Sequence, residues 1–298
     1  MDKIGFIGLG AMGSAMARNI AKAGYHLGVF NRSAARSKAF EQDGIPVYAN
    51  PADLTAASDV VVIMVTDPAA LSELVEAEEG ILAGLKHKTA ESTLIINMST
   101  VSPEATLTAA AKLNEAGARF VDAPVSGTVK PAQDGSLIIL AAGSDADLAA
   151  AEPILKTMGK AIVVCGATGQ ATRMKLVLNL MLAGMMQCLA EGLSLAESQH
   201  LQGTAVLNAL TGGPLAAGLY QMKGGMMLGD DFGKQFPVDL MFKDLNLVLD
   251  TAGKAHLPLP MTAAVRETFS AARGLGYGNE DMAAVIKVLH QFRRPVGS

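Results

Sequence analysis

Short apolar runs alternate with helix-patterned stretches through the first half of the chain. Residues 4–7, 26–30, 60–64, 94–97, 119–122, 136–142 and 161–164 are short, largely apolar and bounded by polar or glycine-containing segments, which predicts strands. Between them, 15–23, 33–42, 51–57, 68–76, 103–116 and 145–158 carry helical patterns, several opening on Ser, Asp or Pro, as helix starts do. This alternation predicts an α/β fold with a parallel, doubly wound sheet. Ligands in such sheets bind at the carboxyl ends of the strands.

The pattern changes after residue 164. Gly166-Ala167-Thr168-Gly169 is a break, and only helical periodicity follows. Residues 170–200 read as one long helix, apolar nearly all round, as a helix buried between domains or subunits is. Further helices are expected at 203–210, 214–224, 237–255, 260–275 and 281–292. Gly224-Gly225 and Gly229-Asp230-Asp231 read as loops and 293–298 as a solvated tail. The expected organisation is a Rossmann-type domain at 1–164 and an all-α domain at 165–298, joined by the long helix. The apolar stretch 176–190 is interrupted by Asn179 and Gln187 and is shorter than the ~20 residues of a bilayer span. With no leader pattern before the first strand, a soluble, cytoplasmic protein is expected.

The bulk numbers narrow the classes. The 298 residues suit one large domain or two ordinary ones, and half of them are hydrophobic. The net charge of −4 supplies no basic surface, so neither a nucleic-acid nor a membrane partner is expected. Trp is absent while Met reaches 16, which suits a helical core with flexible side chains. Cys165 and Cys188 sit in apolar runs and read as buried free thiols in a reduced compartment. His26, His87, His200, His256 and His290 show no ligand spacing, so no metal is expected.

The strongest local signal is Gly8-Leu9-Gly10-Ala11-Met12-Gly13, a G-x-G-x-x-G turn between a strand and a helix. Gly8 allows the tight turn, Gly10 lets the backbone approach a pyrophosphate, and Gly13 lets helix and strand pack closely. The helix N-terminus then faces the phosphates. The bland alternative is a strand–helix turn with no ligand. The end of the second strand discriminates between cofactors. An acidic residue there would bind the ribose 2′-OH of NAD. This chain has Asn31-Arg32-Ser33, with Arg36 and Lys38 one turn on. The Arg32 fork suits a 2′-phosphate, which points to NADP (as NADPH). The alternative leaves Arg32 solvated and Ser33 as a helix cap, and Ser33 can be both.

Four further motifs stand in order: Asn97-Met98-Ser99-Thr100; Asp122-Ala123-Pro124-Val125-Ser126-Gly127; Gly166 and Gly169 before Lys175 and Asn179; and Phe236 with Lys243-Asp244. Together with the glycine turn, over essentially the whole chain, they resemble the β-hydroxyacid dehydrogenase family, the 3-hydroxyisobutyrate dehydrogenase group. That group typically continues with two glycines and a later Gly-Ala. Here the run is Ser126-Gly127-Thr128-Val129-Lys130-Pro131-Ala132, which looks like the glyoxylate/succinic semialdehyde reductase branch. The Asn-Arg-Ser motif, Thr66-Asp67-Pro68 and Phe236-Pro237 point the same way. The resemblance implies NADPH-dependent reduction of a small carboxylate-bearing aldehyde to its hydroxy acid. Related imine reductases usually lack lysine at the position of Lys175.

Such a reaction needs a proton for the developing alkoxide and a grip on the carboxylate. Lys175 is assigned as general acid and oxyanion stabiliser; alone, it also reads as a surface ion-pair lysine. Asn179, at i+4 on the same face, can hold the lysine head; a satisfied buried amide is its plain reading. Ser126, Gly127 and Thr128 offer successive N–H groups and two hydroxyls as a carboxylate cradle, or form an ordinary turn. The resemblance implies that Thr100 and Met12 border the nicotinamide, that Val65 and Thr66 line the ribose and pyrophosphate channel, and that Lys243 contacts the cofactor. Asp244 orients Lys175 or substrate, or makes a plain salt bridge. Phe236 closes over substrate or packs in the core. A hydroxyacid dehydrogenase working in the oxidative direction, an imine reductase and a non-catalytic NADP-binding protein remain as alternatives. A homodimer or homotetramer is expected.

Overall fold

In the computed structural model, which describes residues 2–86, 88 and 93–292, the chain forms two compact units, Met1–Lys175 and Leu176–Ser298. His87 and the expected tail at 293–298 lie outside the described residues. Among the described residues the first unit has eight strands: β1 (Lys3–Ile7), β2 (His26–Phe30), β3 (Val60–Ile63), β4 (Leu94–Asn97), β5 (Arg119–Asp122), β6 (Val125–Ser126), β7 (Leu137–Ala142) and β8 (Gly159–Gly166). The order β2-β1-β3-β4-β5 is parallel throughout. The chain therefore leaves β1 to one side and returns to the other, placing the switch point between β1 and β3.

Both faces of this sheet are covered, so β3 is apolar at every position. Val60 and Val62 join Phe6, Met16, Ile20 and Ile96 on one side; Val61 and Ile63 join Leu54, Leu71, Ile95 and Leu113 on the other. That is the expected signature of a buried parallel strand. The helices Pro51–Ala57, Pro68–Glu76 and Pro103–Glu115 each start on a proline after a capping residue. Asn50, Asp67 and Ser102 accept from the N–H groups of Asp53, Ala70 and Ala105, which settles orphan donors at each start.

The sheet is not parallel throughout. β7 runs antiparallel to β5 and β6 and parallel to β8. The connection from Ser126 to Leu137 contains only the short helix Val129–Gln133, and a parallel crossover needs a dozen residues or more. The next connection holds the helix Asp145–Met158 and does cross over in parallel. The expected boundary at 164/165 also moves, into the long helix Gln170–Ser198, after Lys175. Asp122 on β5 holds the first turn of that helix through the N–H groups of Gly169 and Thr172, so the turn belongs to the first unit.

The long helix has 29 residues, and its length and hydropathy would suffice for a bilayer span. Half of its most apolar window is buried inside the molecule, as in a core helix. Ala183, Met186, Leu189 and Leu193 enter the second unit's core. Met174, Val177, Met181 and Leu195 are exposed, so burial all round does not hold. Cys188 lies exposed on this helix and Cys165 is half-buried on β8; both thiols are free, and neither is buried as expected.

In the second unit the helices Gly203–Thr211, Gly218–Leu228, Val238–Lys254 and Pro260–Gly274 precede a 3₁₀ turn, Met282–Val285, and a last short helix, Ile286–His290. Gly224-Gly225 is not a loop. It lies within Gly218–Leu228, where a Cβ on Gly224 would come within 2.4 Å of the Leu207 side chain; the glycine serves helix packing. Lys223 and Asp281 form an ion pair with both side chains fully buried, its two N···O distances 2.8 Å. Asp281 also accepts from the N–H groups of Phe236 and Ala283. Removing one partner of such a pair leaves an uncompensated buried charge. Asp281→Ala is expected to cost about 3–5 kcal/mol of stability, read from guanidinium unfolding. An unchanged midpoint would show that the pair is not structural.

Candidate active site

A cleft of about 540 Å³ opens at the carboxyl ends of β1 and β3, lined by Gly8, Gly10, Asn31, Arg32, Val65 and Thr66 among others. Three glycines shape it differently. Gly8 has φ +101°, and a Cβ there would sit 2.1 Å from the Met64 carbonyl oxygen. A Cβ on Gly13 would sit 2.0 Å from the Gly8 oxygen. Both are backbone-on-backbone contacts that only glycine permits. A Cβ on Gly10 would meet nothing closer than Arg36 Nη1 at 3.7 Å, so the missing side chain opens onto the cleft. Gly10 caps the helix Ala11–Lys22 without a side-chain hydrogen bond. The first-turn N–H groups there are suited to an anion, so the residues fit a dinucleotide pyrophosphate.

The turn is pinned to the end of β2. Asn31 Oδ1 accepts from Leu9 N at 2.8 Å, and Asn31 Nδ2 donates to the Ser33 carbonyl at 2.9 Å. The Asn31 amide is thus engaged in holding the turn. Arg32 and Ser33 line the cleft. Ser33 caps the helix Ala34–Gln42 by position only, with no side-chain hydrogen bond to it. Arg36 also lines the cleft, reaching the Leu9 carbonyl at 3.4 Å. It stands one turn after Arg32, and that i,i+4 spacing is the signal by which the sequence marks it. Lys38 is exposed and outside the cleft lining. Glu73 and Glu79 line the cleft as well, so its charge is mixed. Val65 N donates to Ser99 Oγ at 2.9 Å, and Thr66 Oγ1 donates to Asp67. Met12 and Thr100 are half-buried and lie outside this lining; Leu9 is buried and Ala11 exposed.

In the same unit Ser126 and Thr128 are half-buried and Gly127 is exposed. Gly127 has φ +147°, and a Cβ there would collide with Leu137. Thr128 caps the short helix after it without using its hydroxyl on the helix. Lys130 is a solvated residue paired with Asp134. Lys175 is 7% exposed, so it is a buried residue and does not lie on the surface. Burial pushes the Asp122 carboxyl up from its ordinary range, against the lowering effect of hydrogen bonds from Thr172 and Gly169.

The second unit holds Asn179, Lys243, Asp244 and Phe236. Asn179 and Asp244 are each 2% exposed. Asn179 Nδ2 donates to Asp244 Oδ2 at 2.6 Å, and Lys243 Nζ lies 2.8 Å from Asp244 Oδ1. A carboxylate only accepts, so Asp244 turns the Asn179 –NH₂ towards itself and leaves Asn179 Oδ1 as an acceptor. From the sequence, Asp244 is expected to orient Lys175 or substrate, or to make a plain salt bridge. The structure shows the salt bridge, and it adds Asn179 as a partner that no sequence signal named. Phe236 is half-buried against the helical core, its N–H given to Asp281. Among the described residues no His/Cys/Asp/Glu group suits a metal ion.

Residues 3–166 match the family described as the NAD binding domain of 6-phosphogluconate dehydrogenase, and 169–289 the family described as NAD-binding of NADP-dependent 3-hydroxyisobutyrate dehydrogenase. The chain is 35% identical to glyoxylate/succinic semialdehyde reductase 1 of Arabidopsis thaliana, over 96% of this chain and 98% of that one. The chain belongs to the β-hydroxyacid dehydrogenase family. Another family relative, 2-(hydroxymethyl)glutarate dehydrogenase of Eubacterium barkeri, is 37% identical over 97% of this chain and 95% of its own length. A solved structure of 3-hydroxyisobutyrate dehydrogenase from Mycobacterium tuberculosis with L-serine superposes with a TM-score of 0.87, at 26% identity over 97% of this chain and 99% of that one. This β-hydroxyacid dehydrogenase is therefore a nicotinamide-dependent oxidoreductase.

The glycine contacts separate binding from folding. Gly10→Ala is expected to fold with near wild-type stability and to lose affinity for the dinucleotide. Gly13→Ala is expected to lose about 1–3 kcal/mol of stability, since a backbone oxygen must move. Calorimetric titration with NADPH and thermal unfolding check both; equal destabilisation by the two changes would contradict this assignment.

Proposed function

We propose that this β-hydroxyacid dehydrogenase is an NADPH-dependent reductase of small aldehyde acids, glyoxylate or succinic semialdehyde, giving the hydroxy acid. The observation that carries the reading is the match to the Arabidopsis reductase along 96% of the chain. The cleft supports the cofactor choice, since Arg32, Ser33 and Arg36 line it and no carboxylate follows β2.

The bound cofactor supplies the hydride. In this reading Gly10 and the N-terminus of the helix Ala11–Lys22 hold the pyrophosphate, and Arg32 and Ser33 hold the 2′-phosphate with a planar charged fork and a hydroxyl. Ser126, Gly127 and Thr128 hold the substrate carboxylate through N–H groups and hydroxyls. The Lys175 ammonium gives its proton to the carbonyl oxygen and stabilises charge that grows in the transition state. Within the second unit Asp244 sets the Asn179 amide, which keeps Oδ1 as an acceptor in this reading. Oxidation of a hydroxy acid uses the same groups in reverse, and the Eubacterium barkeri dehydrogenase at 37% identity favours it as the second reading.

A homo-oligomer belongs to this proposal. The exposed Met174, Val177, Met181, Cys188 and Leu195 follow intervals of three, four, seven and seven residues along one helix, the repeat of a helix-pairing seam. A second copy of the chain is the occupant proposed. Light scattering after gel filtration should find a dimer or tetramer that Met181→Glu weakens; a monomeric wild type would refute it.

Lys175→Ala is expected to lower kcat by about 10²–10⁴ while NADPH still binds. Arg32→Ala is expected to raise KM for NADPH about tenfold or more and to leave KM for NADH nearly unchanged. Retained turnover in the first variant would remove the lysine assignment, and equal KM changes in the second would remove the NADP argument. Initial rates at 340 nm measure both.

A further inference from the structure

The Asp122-Ala123-Pro124-Val125-Ser126-Gly127 motif lends Ser126 and Gly127 to the proposed carboxylate cradle, and its first residue has no part in that role. Asp122 is fully buried at the end of β5, in register with Asn97 on β4 and Ala142 on β7. Its Oδ2 accepts from Gly169 N at 3.1 Å and Thr172 N at 2.9 Å. Its Oδ1 accepts the Thr172 hydroxyl at 2.7 Å. Thr172 Oγ1 lies 3.0 Å from Thr106 Oγ1. Thr172 is the third residue of the long helix, so a carboxylate 50 residues earlier satisfies donors that helix starts normally give to a neighbouring cap. An anion there also faces the positive end of the helix dipole.

One carboxylate is thereby tied to both chemical groups of the first unit. Lys175 follows Thr172 by three residues and shares its side of the helix. Ser126 follows Asp122 by four residues along the motif. We propose that Asp122 is a positioning residue, which holds the first turn of the long helix so that the Lys175 ammonium stands in fixed register with the cradle at Ser126–Gly127–Thr128. A 29-residue helix keeps its own hydrogen-bond ladder without the clamp, whereas a misplacement of about 1 Å can cost a hundredfold in rate. The device therefore acts on turnover more than on folding. This inference rests on Lys175 as the proton donor of the proposed reductase.

Thr172→Val removes the hydroxyl bond at nearly constant shape, Thr172→Ser keeps it, and Asp122→Asn removes the charge. With NADPH and succinic semialdehyde, kcat is expected to fall about tenfold in Thr172→Val and about a hundredfold in Asp122→Asn. KM for NADPH should stay within about twofold of wild type, and Thr172→Ser should recover most of the lost rate, since a bond to a charged group is restored. Hydrogen–deuterium exchange, read without substrate, should quicken in segment 169–178 of Thr172→Val and stay unchanged in segment 11–22. Wild-type kcat in Thr172→Val, unchanged exchange at 169–178, or KM for NADPH rising in step with the fall in kcat overturns the inference. If the wild-type protein turns over neither aldehyde, the reductase reading fails instead, and the exchange result alone decides whether the clamp stands.

Discussion

The backbone leaving β1 touches the backbone leaving β3 at Gly8, and the first unit is arranged around that contact. A side chain at Gly8 would enter the Met64 carbonyl, and one at Gly13 would enter the Gly8 carbonyl. The strand, the turn and the helix Ala11–Lys22 therefore close on one another with no space between. The space appears two residues after Gly8, at Gly10, on the side that faces the cleft. Asn31 and Arg36 then fasten the turn to the end of β2 through Leu9. A rigid set of backbone donors at a sheet's switch point is what a dinucleotide site requires.

The buried polar groups form a second pattern. Asp122, Lys175, Asn179, Lys223, Asp244 and Asp281 are all less than a tenth exposed. Charges in such places are costly unless hydrogen-bonded and paired. Asp122 meets three donors at a helix start, Asp244 meets Asn179 and Lys243, and Asp281 meets Lys223 and two N–H groups. Each carboxylate fixes an element that carries a candidate functional residue: the Lys175 helix, the Asn179 amide and the Phe236 segment.

Much of this was legible in the sequence because it is local. The glycine turn, the Pro-initiated helices with their Asn, Asp and Ser caps, and the apolar β3 all carry their signals within a few residues. The misses depend on distance. The direction of β7 follows from the length of the connection before it, and the apolar pattern of the strand does not record that. Gly224-Gly225 resembles a break until Leu207 is seen against it. Cys188 sits in an apolar run, but the helix carries apolar residues on its outward face too. Asn179 and Asp244 were each marked as site residues, while the bond between them joins positions 65 apart that no spacing rule connects. The first turn of the long helix was assigned away from the sheet for the same reason, since Asp122 lies on another element.

The most direct test of the account is the initial rate of NADPH oxidation at 340 nm by the purified full chain, with glyoxylate and succinic semialdehyde in parallel and NADH in place of NADPH as the second arm. The account predicts turnover of at least one aldehyde with a clear preference for NADPH. Tight NADPH binding with no turnover of either aldehyde, or equal rates with the two cofactors, would contradict it.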